Sequence, residues 1–252
     1  MMQEALDFLV KLFSNPSILG ICLTVLFGAI WLACYRPPLI TKPWLWAVLV
    51  AGIVMMGVAG LIDMGLEYFS GQILGHFLDE ATIWRWLLIA AIFQTLLSGL
   101  VQEGAKLVPV VVYWWRKGRD IDPKLALVIG AVAGVGFGII ETQWILSGIF
   151  ASGWSWSSVD SDGIVALSPL LVRFAILGFH AAACALASWG LAKGFGWQFY
   201  LLVSFLHALS YTGVFLFEEK VFSLNQALVF NITWALLIAG VALWLRWGRM
   251  KD

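Results

Sequence analysis

Two carboxylates and two imidazoles lie inside long apolar stretches, where an ionisable side chain is costly. Glu103, Glu141, His180 and His207 each fall within such a stretch. A carboxylate can act as a general base on water, and an imidazole can polarise a carbonyl group or stabilise an oxyanion. This set of side chains is therefore what hydrolysis inside a membrane would need.

Two cations belong to the same apolar stretches. Lys106 follows Glu103 by three positions, which places both side chains on one face of a helix, where they can pair. Arg173 precedes His180 by seven positions, which again gives a shared helical face. A charge at mid-bilayer costs at least about 2.5–3.5 kcal/mol, so such groups usually face the protein interior and one another. We therefore expect the carboxylates, imidazoles and cations to converge.

The same donors could instead hold Zn²⁺, which binds imidazole nitrogen and carboxylate oxygen and leaves one position for water. If a metal is bound, the predicted ligands are His180, His207 and Glu141. The chain has no HExxH motif, so these ligands would come from separate helices. Hydrolysis with zinc and hydrolysis by Glu and His alone both stay open.

Seven apolar stretches are long enough to carry these residues across a bilayer, since a helix needs roughly 20 residues for the hydrocarbon. The chain of 252 residues is 62% hydrophobic and only 12% charged, as is typical of membrane proteins. The predicted spans are 18–34, 44–62, 84–115, 125–150, 169–191, 197–217 and 224–247. We predict an all-α polytopic helix bundle in the lipid bilayer, with residues 1–252 as a single membrane domain.

Basic residues concentrate in alternate connections between the predicted spans. By the positive-inside rule this places the N-terminus outside and the C-terminus in the cytoplasm. Residues 1–16 show apolar helical spacing and are expected to form an interfacial amphipathic helix. Of the outer segments, 63–83 is expected to lie along the interface and 154–168 to form an exposed loop. The net charge of zero gives no reason to expect a nucleic-acid partner.

The polar motifs resemble, in order and spacing, the PrsW family of intramembrane proteases. That family is related to the CAAX-prenyl endoproteases and to bacteriocin-processing membrane proteases. The matching segments are QEGAK at 102–106, GAVAGVGFGIIE at 130–141, RFAILGFH at 173–180 and FLHALSY at 205–211. These segments define a catalytic-motif core over residues 97–211.

This resemblance implies an intramembrane peptidase of a bacterial inner membrane. The implied reaction is hydrolysis of a peptide bond near the outer half of the bilayer, in a single-span membrane protein such as an anti-sigma factor. The implied active-site residues are Gln102, Glu103, Glu141, His180 and His207, and their implied orienting partners are Lys106, Arg173 and Tyr211.

Two positions depart from the family pattern. The family has paired Glu where this chain has Gln102 and Glu103, and relatives often carry Asn where this chain has Tyr211. A Gln amide cannot accept a proton. Either Glu103 or Glu141 activates water, or the chain is impaired in catalysis, or Gln102 is a deliberate substitution that traps an inactive form. The alternative functions are a catalytically impaired scaffold or binding protein and a proton-coupled transporter, since intramembrane Glu, His and Lys also build proton relays.

Overall fold

The computed structural model describes residues 17–79, 82 and 86–248, and eight α-helices make up most of this part of the chain. The helices are α1 Ile18–Tyr35, α2 Trp44–Phe77, α3 Leu87–Arg116, α4 Pro123–Ala151, α5 Trp156–Asp162, α6 Ser168–Ala192, α7 Gly196–Glu218 and α8 Leu224–Trp247. A 3₁₀ turn, Gly163–Leu167, joins α5 to α6. The amphipathic helix predicted for residues 1–16 lies outside the described residues.

All helices except α5 are long and apolar enough to cross a membrane, which makes seven spans within the described residues. This confirms the predicted all-α bundle, and the chain is a multi-pass membrane protein. Large apolar side chains cover its outside, as at Val54 and Leu237, which are 54% and 59% exposed. Such exposure suits side chains that face lipid. The direction in which the spans cross the membrane stays a prediction from the loop charges.

Helices α4 and α6 form the centre of the bundle. Buried residues make up 83% of the most apolar stretch of α4 and 78% of that of α6, against 28–33% in the other five spans. Glycines let the backbones of these two helices approach closely. A Cβ atom on Gly134 would overlap the backbone oxygen of His180, and one on Gly130 would overlap the backbone oxygen of Cys184. The spacing of these glycines by four places them on one face of α4 for this contact.

Local signals fix the ends of several helices. The Asp122 carboxylate caps α4 by accepting a hydrogen bond from the backbone N–H of Leu125 at 2.7 Å, and Pro123 takes the first helical position. At the same end of the bundle, the Arg246 side chain donates to the backbone oxygen of Tyr35 at 2.9 Å. This bond ties the last turn of α8 to the last turn of α1.

Helix α2 corrects the prediction for the first outer segment. The prediction that the second helix ends at residue 62 is wrong, because α2 continues to Phe77. The location of residues 63–83 along the interface stays a prediction. Its 34 residues make a helix about 51 Å long. The acidic residue Asp63 does not end the helix because its carboxylate faces α3, where it accepts hydrogen bonds from Ser98 and Gln102. The second outer segment is likewise not a simple loop, since it contains α5 and the 3₁₀ turn.

Substituting Gly134 by Ala should destabilise the bundle by about 1–3 kcal/mol, the usual cost of overpacking. The added methyl group has to displace the α6 backbone at His180, which is fully packed against α4. Thermal unfolding in detergent measures the effect. Gly148→Ala on the same helix is the matched control, because no atom of the described residues lies within 4 Å of its added Cβ and Ala favours the helix. Equal unfolding temperatures for the two variants would contradict the close α4–α6 packing.

Candidate active site

A cavity of about 520 Å³ lies between α2, α3, α4, α6, α7 and α8, and its walls combine apolar and polar side chains. Six of the polar residues on its walls are Asp63, Gln102, Glu141, His180, His207 and Tyr211. Other wall residues on α2 and α3, among them Glu67 and Gln94, continue toward the ends of these helices that the 78–86 connection joins. By the predicted orientation, this is the outer side of the membrane.

The structure brings all the predicted site residues together, although they come from four helices. Gln102, Glu103 and Lys106 lie on α3, and Glu141 lies on α4. Arg173 and His180 lie on α6, and His207 and Tyr211 lie on α7. The expected convergence of buried carboxylates, imidazoles and cations is therefore present. The sequence does not predict that these residues form two groups. One group lines the cavity, and the other, Glu103 and Lys106, lies behind the cavity wall.

Glu103 and Lys106 form the group behind the wall. Both side chains are 0% exposed, and Lys106 Nζ lies 2.5 Å from Glu103 Oε1. The same oxygen accepts a hydrogen bond from His207 Nδ1 at 2.6 Å. The rings of Phe137 and Phe179 face the ammonium group, with centroids 5.1 and 6.0 Å from Nζ. The pair is thus an ionic centre in an aromatic shell, as cation–π geometry favours.

Lys106 also determines the tautomer of His180. Its Nζ lies 2.9 Å from His180 Nδ1, and an ammonium group can only donate. Nδ1 therefore accepts, and a neutral ring carries its proton on Nε2. That nitrogen lies 2.6 Å from Glu141 Oε2, although the two atoms are not aligned as a hydrogen bond. The other Glu141 oxygen lies 3.8 Å from an Arg173 nitrogen, so Glu141 lies between an imidazole and a cation.

His207 is oriented from two sides. Since Glu103 accepts from Nδ1, the proton of a neutral His207 ring lies on Nδ1 and the lone pair lies on Nε2. The Tyr211 ring stacks on the imidazole, with centroids 5.3 Å apart and planes 13° apart. His207 and His180 are neighbours, with ring centroids 5.5 Å apart. Each imidazole is thus held by one member of the Glu103–Lys106 pair.

Gln102 lies on the cavity wall beside a carboxylate that sequence reasoning assigned to an outer segment. Its Nε2 donates to Asp63 Oδ2 and to Ser98 Oγ, each at 3.0 Å, and lies 3.4 Å from the Tyr211 hydroxyl. Sequence reasoning misses Asp63 because this residue follows directly on an apolar run, a position typical of the start of a connection. Helical spacing could have found it, since the α2 residues on the cavity wall are 56, 59, 60, 63, 64 and 67.

The sequence profile described as PrsW family intramembrane metalloprotease matches residues 41–209, two thirds of the chain. The chain belongs to the PrsW family. No curated protein and no solved structure matches the chain. The resemblance given by the polar motifs is therefore confirmed, and this PrsW-family chain carries an intramembrane protease domain. The matched region includes Glu103, Glu141, His180 and His207 and ends two residues before Tyr211.

The donor atoms of the site suit a divalent metal. One ligand atom each from Glu103, His180 and His207 lie within 4.8 Å of one another, and all three residues are buried. Several buried polar atoms of the site have no hydrogen-bond partner among the described residues, namely Glu103 Oε2, Glu141 Oε2 and His180 Nε2. A ligating histidine usually donates its second ring N–H to a carboxylate, which is the arrangement of His207 with Glu103. The residues present therefore fit a metal such as Zn²⁺.

Metal binding at His180 would have to displace either the Lys106 ammonium or the ring proton. Binding through Nδ1 would take the place of the Lys106 ammonium, and binding through Nε2 would remove the ring proton beside Glu141. Either route releases a proton or moves a buried charge, so metal uptake is coupled to the protonation of the site. The ligand set predicted from the sequence, His180, His207 and Glu141, consists of residues that all line the cavity. It stays a prediction.

Substituting Lys106 by Met should destabilise the bundle by about 3–5 kcal/mol, because it leaves the Glu103 charge buried without its cation. Substituting Glu103 by Gln in the same chain should recover a large part of this loss. Thermal unfolding in detergent of the two single variants and the double variant gives the interaction free energy. Lys193→Met, on an exposed side chain, is the control and should have little effect. Strictly additive effects of the two substitutions would show that the ion pair does not stabilise the fold.

Proposed function

We propose that this PrsW-family chain is an intramembrane peptidase that hydrolyses a peptide bond of a single-span membrane protein, such as an anti-sigma factor, in a bacterial inner membrane. The observation that supports it is that Glu141, His180 and His207, from three helices, line one cavity inside the bundle. A carboxylate and two imidazoles around a space large enough for water and an extended backbone are what peptide hydrolysis requires.

The substrate span has to lose its helical hydrogen bonds before it can be cut. A peptide bond within an intact helix is inaccessible because every backbone group is satisfied inside the helix. The cavity offers replacement partners for an unwound segment, among them Asn231 Oδ1, which is buried and makes no hydrogen bond in the part of the chain that the structure describes. We place the cut in the predicted outer half of the membrane, since the cavity wall continues along α2 and α3 toward their outer ends.

His180 and His207 are the groups that can act on the scissile carbonyl group. Lys106 and Glu103 hold the two rings at the distances given above, so neither imidazole needs to reorient when the substrate arrives. His180 can donate its Nε2 proton to the carbonyl oxygen as negative charge develops there. Glu141, next to that nitrogen, then stabilises the ring as it shares its proton.

A divalent metal, if bound, would be held by His180 and His207 with Glu141 or Glu103 as the carboxylate ligand. It would polarise the carbonyl group and acidify a bound water molecule. With a metal bound, the residues of this chain have the same roles as without it. They position the donors, exclude bulk water and neutralise the buried charges.

Substituting His180 by Ala or Glu141 by Gln should lower the cleavage rate by roughly 10²–10⁴-fold, the usual contribution of a proton-transferring side chain. The assay is cleavage of a panel of single-span proteins by the purified chain in liposomes, followed by mass spectrometry of the products. His76→Ala is the matched control, because His76 is exposed and lies outside the cavity. Absence of cleavage by the folded wild-type chain across the panel would favour the scaffold function, and ion flux in the same liposomes would favour the transporter.

Metal analysis of the purified chain tests the metal independently of cleavage. We expect about one Zn²⁺ per chain after loading, since the buried donors around His180 fit one site. His180→Ala and His207→Ala should each lose the metal, and His76→Ala should keep it. A chain that binds no metal yet cleaves its substrate would establish hydrolysis by Glu and His alone.

A further inference from the structure

Peptide hydrolysis needs a group that takes a proton from the attacking water, and the carboxylates of the site differ in their freedom to do so. Both oxygens of Glu141 have charged or imidazole neighbours, Arg173 at 3.8 Å and His180 at 2.6 Å. Glu103 is 0% exposed, is paired with Lys106 and does not line the cavity. Of the two, only Glu141 lines the cavity, and each of its oxygens has a cation or an imidazole beside it.

Asp63 differs from both, because among the described residues it pairs with neither a cation nor an imidazole. It lies on the cavity wall, on the face of α2 that packs toward α3. Ser98 and Gln102 both donate to its Oδ2, each at 3.0 Å, which fixes the orientation of the carboxylate. Its Oδ1 is buried and makes no hydrogen bond within the described part of the chain. Among those residues, no Lys or Arg side chain forms an ion pair with it.

We propose that Asp63 is the general base of the peptidase, held by Gln102 and Ser98 so that Oδ1 receives the proton of the attacking water. This inference rests on the proposed function. The water oxygen bonds to the carbonyl carbon while its proton moves to Oδ1, and the carbonyl oxygen becomes an oxyanion. The C–N bond then breaks, and the proton on Asp63 passes to the departing nitrogen. The products are a carboxyl group and an amine, and Asp63 returns to its carboxylate form.

Gln102 has a defined role in this arrangement. Its amide nitrogen donates to the oxygen of Asp63 that does not take the proton, so it positions the base. Because the two side chains are in direct contact, a carboxylate at position 102 and an amide at position 63 would keep the hydrogen bond between them. The carboxylate would then lie on α3 instead of α2 and would still face the same cavity.

The test compares three chains in the cleavage assay: Asp63→Asn, the exchanged pair Asp63→Asn with Gln102→Glu, and Asp160→Asn as the control. Asp63→Asn should lower kcat by roughly 10²–10⁴-fold with little change in KM, since only proton transfer is lost. The exchanged pair should recover at least about tenfold over Asp63→Asn. Asp160 is exposed on α5, outside the cavity, so its variant should cleave like the wild type.

Unfolding temperatures of all variants in detergent separate a catalytic loss from a folding loss. If the folded Asp63→Asn variant cleaves at a rate within about threefold of the wild type, the inference is overturned and the peptidase function is unaffected. A folded exchanged pair that stays as inactive as Asp63→Asn would also overturn it, because the carboxylate would then be needed for something other than its proton. A wild-type chain that cleaves nothing would overturn the peptidase function and the role of Asp63 together.

Discussion

The ion pair of Glu103 and Lys106 is the constraint on which the rest of the site depends. Two opposite charges with no exposure to solvent lose their hydration, and only close pairing and further hydrogen bonds compensate for that loss. The further bonds go to His207 and His180, so one pair fixes both imidazoles. Because the pair lies on α3 and the rings lie on α6 and α7, it also ties three helices together. The spacing of three on α3 brings the two charges to one face.

Close helix contact is the second requirement, and small residues meet it. His180 can lie beside Glu141 only because α4 approaches the α6 backbone at Gly134, where a side chain would overlap the oxygen of His180 itself. On the other side of the site, Gly99 of α3 packs against α7, since a Cβ there would lie 2.5 Å from the oxygen of Ser204. The glycines thus act on the chemistry indirectly, through the distances between side chains on neighbouring helices.

Sequence reasoning found the spans and the membrane-embedded polar residues for a physical reason. Charged groups are rare and costly in lipid, so Glu103, Glu141, His180 and His207 stand out against an apolar background. It could not find which of them share a wall of the cavity, because that depends on the rotation of each helix about its axis. Sequence reasoning misses Asp63 because an acidic residue at the end of an apolar run usually belongs to the loop that follows a span. Only its helical spacing from Met56 and Ala59 indicates that α2 continues.

The three carboxylates of the site differ in the cations that lie beside them. Lys106 balances Glu103, Arg173 lies near Glu141, and Asp63 has no cationic partner among the described residues. With neutral imidazoles, the buried groups therefore carry one net negative charge when Asp63 is ionised. When Asp63 accepts the proton of water, its negative charge is neutralised at the same time as the oxyanion of the substrate forms. The net negative charge also lowers the electrostatic cost of admitting a cation such as a metal ion. A Glu at position 102 would add a second unpaired carboxylate next to Asp63, where two like charges 3.0 Å apart could not both ionise, and the amide of Gln102 avoids this.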